Sequence, residues 1–214
     1  MSVVLYYASG SPYAWRAWLA LAHKGVAFEL HTLSFDAGDL QTAEFTRLNP
    51  RQKVPVLVDD KFVLSESAAI VEYAEERWPQ GPRLFAADIQ ARATQRRLIR
   101  EADAYLAPAA EHFADQVLFT PADKKNDAAL DEAGAALRQE LARWEEALHG
   151  EHFLTGVAVS AADFTLYPLV ALMQRIARRA PAFAGELLGP KIAAWAARMA
   201  ALPVVQATWP PHWK

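Results

Sequence analysis

Apolar positions run in short β-type stretches separated by helical patterns as far as residue 80, and in helical periods alone beyond it. Val3-Val4-Leu5-Tyr6-Tyr7, closed by Ala8-Ser9-Gly10-Ser11-Pro12, predicts a buried strand ending in a turn. Pro12 to Lys24 predicts a helix, with Ser11 at the N-cap, Pro12 at the first helical position, His23-Lys24 in the last turn and Gly25 just beyond. Phe28 to Leu33 reads as a second strand and Leu40 to Arg47 as a weak helix stopped before Asn49-Pro50. Val54 to Val58 and Phe62 to Leu64 are strands about Asp59-Asp60, and Ser67 to Trp78 is a helix halted by Pro79. The order is βαβαββα. Helices then follow over Ala87 to Phe119, disturbed at Pro108, and over Asp127 to His149, Ala161 to Ala180 and Pro190 to Ala201. The tail from Ala207 to Lys214 reads as irregular.

A chain of 214 residues suits two modest domains, and the helix-breaking Pro79-Gln80-Gly81-Pro82 marks the border. The expectation is an α/β domain over 1–80, a linker over 81–87 and an all-helical domain over 88–214. With 53% hydrophobic and 22% charged residues the composition supports packed cores and excludes disorder. No apolar run approaches the ~18 to 20 residues of a membrane span. Met1 to Tyr7 also lacks a basic leader segment, so no membrane partner and a cytoplasmic location are expected. The absence of cysteine removes disulfides, thiolate metal sites and cysteine nucleophiles, so any thiol chemistry here uses a thiol brought by a substrate. A formal charge of -3 argues against a nucleic-acid partner. The arginines at 92, 96, 97 and 100, and at 175, 178 and 179, read as solvated helix faces.

Three places carry candidate chemistry. Ser11, at a helix N-terminus, lies beside unpaired backbone N–H groups and the positive end of the helix dipole, which suits an anion; by itself it reads first as an ordinary N-cap. Ser9, Tyr6 and Tyr7 are nearby alternatives, and no Gly-x-Ser-x-Gly elbow marks Ser11 as a nucleophile. In Asn49-Pro50-Arg51-Gln52-Lys53-Val54-Pro55-Val56-Leu57 a proline stands just inside an apolar strand. Either Pro55 is a trans edge-strand proline, or a cis Val54-Pro55 bond turns the Val54 backbone outward to pair with a peptide. In Leu64-Ser65-Glu66-Ser67-Ala68-Ala69-Ile70 a carboxylate and hydroxyls meet a helix start, where Ser67 suits a ligand carboxylate and Glu66 an ammonium group. Plain capping explains the same residues.

Order and spacing of these segments resemble the soluble glutathione transferases of the serine type, in a theta- or zeta-like bacterial form. Ser-Pro-Tyr-Ala-Trp-Arg-Ala-Trp-Leu-Ala-Leu from Ser11 is similar to the helix-one motif, Asn-Pro-x-x-Lys-Val-Pro-Val-Leu to the cis-proline segment, and Ser-Glu-Ser-Ala-Ala-Ile to the γ-glutamyl site. In the second half Ser160-Ala161-Ala162-Asp163-Phe164-Thr165 resembles the family's helix-capping box, a folding rather than catalytic feature. The resemblance implies a thioredoxin-like domain followed by an all-helical one. It implies glutathione as co-substrate, with no further cofactor and no metal, and a hydrophobic electrophile as second partner. Ser11 would then hydrogen-bond the thiolate, Val54 beside Pro55 would pair with the cysteinyl backbone, Glu66 with Ser67 would hold the γ-glutamyl end, and Lys53 would help bind the tripeptide.

The activity implied is conjugation, with glutathione-dependent hydroperoxide reduction or a non-catalytic binding role as alternatives. An electrophile pocket between the domains would be lined by Ser9, Tyr13, Tyr105, Ala109, His112 and Phe113, and the subunits would form a homodimer. Leu40 and Gln41 stand where theta-like members place a basic residue for the glycyl end, and Tyr13 stands where zeta-like members often carry cysteine, which removes support for maleylacetoacetate-type isomerisation. His149 and His152 near one loop lack metal-ligand spacing.

Overall fold

The expected βαβαββα order is present in the computed structural model, which describes residues 2–148, 152–180, 183 and 187–213. β1 (Val3–Ala8) lies between β2 (Glu29–Leu33) and β3 (Val56–Asp59), and β4 (Phe62–Ser65) closes the sheet in the order β2-β1-β3-β4. β1 runs parallel to β2 and antiparallel to β3. Central β1 and β3 bury Leu5, Tyr7, Val56 and Leu57, whereas edge strand β4 leaves Phe62 and Val63 exposed. β3 begins at Val56, two residues later than its apolar run suggests, because Pro55 has no N–H for the ladder.

α1 (Pro12–His23) buries Ala14, Trp15, Ala17, Leu19, Ala20 and Leu21, and packs beside α3 (Ser67–Arg77), which buries Ile70, Val71 and Ala74. The weak helix resolves into a single tight turn over Asp39–Gln41 and α2 (Ala43–Leu48), capped by the Thr42 hydroxyl. Lys24, at the end of α1, is buried and reaches Glu75 of α3 at 2.9 Å; the Leu84 amide donates to the same Glu75 oxygen at 2.9 Å. Burial pushes the Glu75 carboxyl up, but the Leu84 amide and the Lys24 ammonium outweigh it and hold the pKa below its ordinary value.

The chain divides into two compact units, Met1–Ala86 with Ala201–Lys214, and Ala87–Ala200. The last residues, expected with the helical domain 88–214, thus group with the first unit. The tail carries α9 (Pro203–Ala207) and a closing turn at Pro211–Trp213, where the pattern reads as irregular, and these pack with the first unit. The Trp15 indole N–H donates to buried Thr208 at 3.0 Å, and Trp209 and Trp213 meet the Trp15 ring edge-on at 5.4 and 5.5 Å.

Within the second unit the expected long helix is α4 (Ile89–Glu101) and α5 (Ala107–Ala114), joined by a wide turn at Ala102–Leu106 and followed by another at Asp115–Phe119. The first wide turn precedes Pro108, which lacks the N–H that a regular helix would use there. α6 (Asp127–Ala147) follows; its expected end at His149 lies outside the described residues. A Cβ on Gly134 of α6 would lie 2.1 Å from the Phe183 ring, so glycine is what admits that ring. α7 (Ala161–Ala177) starts at Ser160, whose amide donates to Asp163 Oδ2 at 2.9 Å, while the Leu154 amide and Trp195 of α8 (Pro190–Ala201) donate to Oδ1. Burial raises the Asp163 pKa against these donors. Among the described residues no helix is long and apolar enough to cross a membrane.

Removing one partner of a buried ion pair strands the other. Glu75→Gln is therefore expected to destabilise the first unit by about 3–5 kcal/mol, read by urea denaturation. Because the folded pKa of Glu75 is depressed, its contribution is complete above the unfolded carboxyl value of about 4.3 and is lost as pH falls through the folded value. The difference between wild type and Glu75→Gln should shrink on acidification through that window.

Candidate active site

The junction of β1 and α1 gathers the first group of candidates. Gly10 turns the chain with φ +97°, and the Ser11 amide closes the turn on the Ala8 carbonyl at 3.2 Å. Ser11 then takes the N-cap position, its Oγ accepting from the Ala14 amide at 3.2 Å. Cap and anion site are compatible here, since that bond uses a lone pair and leaves the hydroxyl proton to donate outward. Ser11 is half-buried, so its hydroxyl stays within reach of a ligand.

Ser9 is engaged differently. The Tyr7 hydroxyl donates to Ser9 Oγ at 3.4 Å, and Ser9 Oγ is in close contact with His212 Nδ1. Burial raises the Tyr7 pKa, partly offset by Ser9 and the Gly10 backbone, so the phenol remains a proton donor at neutral pH. Tyr6 turns instead toward His31 and Phe45, with ring centroids at 4.8 and 5.9 Å. Tyr13, in the first turn of α1, carries the Arg16 guanidinium 5.7 Å from its ring centre.

Two backbone features complete this unit. The Val54–Pro55 peptide is cis, and Val54 lies before the first ladder residue of β3. Asn49 shapes the approach: its Nδ2 donates to the Lys53 carbonyl at 2.7 Å and its Oδ1 accepts from the Arg51 amide at 3.0 Å. Lys53 itself is exposed. Glu66 holds φ +70°, a left-handed conformation that costs a non-glycine residue ~1–3 kcal/mol. It stands at the N-cap of α3 without its side chain capping, which leaves the exposed carboxylate for another partner, and Ser67 follows, buried, as the first helical residue.

The remaining candidates belong to the second unit. Tyr105 is exposed and borders a groove of about 260 Å³ with Arg97, Glu101, Glu140, Arg143 and Trp144. His112 is exposed and Ala109 half-buried. Phe113 is fully buried and meets Phe183 edge-on at 5.3 Å, so it is core of the helical unit and not a ligand wall. Among the described residues no cluster of three His, Cys, Asp or Glu side chains is placed to hold a metal ion. Sequence reasoning missed Asn49 and His212; the signal for the latter is the aromatic Trp209-Pro210-Pro211-His212-Trp213, unusual for a solvated tail.

A thioredoxin-like unit with a polar strand–helix junction, followed by a helical unit, defines the class. Family models for the N-terminal and the C-terminal domain of glutathione S-transferase match residues 10–77 and 107–203. The chain belongs to the glutathione S-transferase family. It is 28% identical to glutathione S-transferase A of Pleuronectes platessa over 99% of this chain and 92% of that one. It is 31% identical to maleylacetoacetate isomerase of Rattus norvegicus over 80% of this chain and 78% of that protein. A solved structure of a glutathione S-transferase from the Antarctic clam Laternula elliptica superposes with a TM-score of 0.85 at 29% identity, covering 100% of this chain and 94% of the other.

Gly10→Ala places a side chain on a backbone of φ +97°. It is expected to lower stability by about 1–3 kcal/mol, measured as a shift of the urea midpoint.

Proposed function

We propose that this protein conjugates glutathione to electrophilic small molecules and that Ser11 stabilises the thiolate that attacks. The observation that carries this reading is the half-exposed Ser11 hydroxyl at the N-terminus of α1, its lone pair used by the cap and its proton available. In this reading Val54 pairs with the cysteinyl backbone beside Pro55, Glu66 and Ser67 receive the γ-glutamyl end, and Lys53 lies near the tripeptide. The uncapped, left-handed Glu66 supports the γ-glutamyl assignment. An apolar electrophile is the second substrate, with Ser9 and Tyr13 near the thiolate on the first unit and Ala109 and His112 as candidates on the second.

Energetics favour the hydroxyl as the main source of activation. A thiol of pKa ~8.5 is only about 3% ionised at pH 7. Lowering it by about two units requires ~2.7 kcal/mol, and a hydrogen bond to a charged group supplies ~1.5 to 3 kcal/mol. The helix N-terminus adds ~0.3 to 1 kcal/mol, too little alone. Proton loss yields the nucleophile, the sulfur lone pair forms the C–S bond, and the leaving group departs with its electron pair.

Ser11→Ala should lower turnover at neutral pH by on the order of tenfold to a hundredfold, with glutathione affinity changed much less because the other contacts survive. Steady-state kinetics with an aryl halide, run from neutral to alkaline pH, should show part of the rate returning as pH rises. Because the cap contributes about 1 kcal/mol, the variant's fold is verified first by circular dichroism. Wild-type turnover with an unchanged pH profile would reduce Ser11 to a cap.

We further propose a homodimer, supported by exposed Phe62 and Val63 on the edge strand and by the family. Sedimentation velocity at micromolar concentration is expected to show twice the mass of the chain; an active monomer would refute it.

A further inference from the structure

The tail of this chain ends on the same turn that presents Ser11. Thr208 accepts the Trp15 indole N–H, Trp209 and Trp213 stack edge-on against the same indole, and between those two rings the chain delivers His212 to Ser9. Tail and turn belong to one compact unit. A Cβ on Gly10 would lie 3.2 Å from His212 Cε1 and 3.4 Å from Nε2, so the imidazole edge rests against the bend itself.

Two side chains hold the Ser9 hydroxyl. Ser9 Oγ meets the Tyr7 hydroxyl at 3.4 Å and is in close contact with His212 Nδ1. A serine hydroxyl both donates and accepts, so the bond to Nδ1 forms with either tautomer of the ring. The consequence is selective: the Ser9 hydroxyl is tied to two side chains, whereas Ser11 Oγ meets the Ala14 amide of its own helix.

We propose that His212 is a positioning residue of the thiolate site, which holds the Ser9 hydroxyl in a hydrogen bond and braces the Gly10 bend so that Ser11 alone faces the glutathione sulfur. This rests on the reading of Ser11 given above. The tail is then a working part of the glutathione-binding unit, and its tryptophans serve to deliver one imidazole. Losing His212 frees Ser9 to rotate and loosens the turn from which the Ser11 cap is built. Thiolate stabilisation suffers, while the γ-glutamyl and Val54 contacts lie elsewhere and keep glutathione bound.

The test compares His212→Ala, His212→Asn, His212→Gln, Ser9→Ala and the double variant Ser9→Ala/His212→Ala, with Ser11→Ala alongside. Asparagine puts a hydrogen-bonding amide near the place of Nδ1, whereas glutamine keeps bulk but carries its amide out to the place of Nε2. Each full-length variant is assayed with glutathione and an aryl halide, and ionisation of bound glutathione is followed by thiolate ultraviolet absorbance. Tyr7 of β1 faces Ser9, Arg16 of α1 lies over Tyr13, and every variant leaves both in place.

His212→Ala and His212→Gln should lower kcat by roughly fivefold, with KM for glutathione within about twofold, and should raise the pH at which bound glutathione ionises. His212→Asn should recover most of both. The double variant should be no worse than His212→Ala, since Ser9 enters only through its bond to His212. Near-ultraviolet circular dichroism of the tryptophans checks that the tail stays docked; if His212→Ala fails to fold, asparagine against glutamine decides alone. Wild-type kcat and thiol ionisation in both His212→Ala and His212→Gln, with Ser11→Ala impaired, overturn the role of His212. Unimpaired Ser11→Ala overturns the Ser11 reading instead.

Discussion

The bend from β1 into α1 is the constraint on which the rest of the first unit turns. Three residues reverse the chain between the central strand and the helix that covers it. Gly10 supplies a left-handed conformation that side chains resist, and Ser11 closes the turn through its amide and caps the helix through its oxygen. Because β1 is central in the sheet and α1 is buried over most of its length, the position of this bend is set from both sides. A hydroxyl held there does not wander, and a pre-positioned donor loses little on meeting a developing charge.

Polar groups around the bend are divided by use. The Tyr7 and Ser9 hydroxyls are spent on each other and on His212, and the Ser11 oxygen is spent on the Ala14 amide. The Ser11 hydroxyl stands apart from the Tyr7, Ser9 and His212 network, at the positive end of a helix. Chemistry of this kind needs few residues, provided the neighbouring ones are prevented from competing. The same economy holds at α3, where Glu66 accepts a strained backbone and leaves its helix uncapped, so that its carboxylate faces outward.

Charge is handled by a different rule in the interior. Buried Lys24 meets half-buried Glu75 in one unit, and buried Asp163 meets a ring of donors in the other. Such groups add less net stability than they would cost if left alone, so they specify which packing is allowed. Glu145 does the equivalent for α8, its two oxygens accepting from the Lys191 and Ile192 amides at 2.7 and 2.9 Å.

Element order, helix starts and the candidate binding segments were legible because each depends on short-range rules. Ser11 before Pro12, Ser160 with Asp163, and Pro55 at the head of β3 all act within four residues of chain. No comparable rule connects residues that are distant in sequence. Ser9 and His212 are separated by 203 positions, and only the packing of three tryptophans and Thr208 brings them together. Phe113 likewise offers the same helical periodicity whether it lines a pocket or fills a core, and the ring of Phe183 against Gly134 decided for the core. By itself the sequence determined the local geometry of the site, through hydrogen bonds between near neighbours. Only the tertiary structure decided which of its hydroxyls is met by an imidazole, because that side chain is delivered from a distant part of the chain.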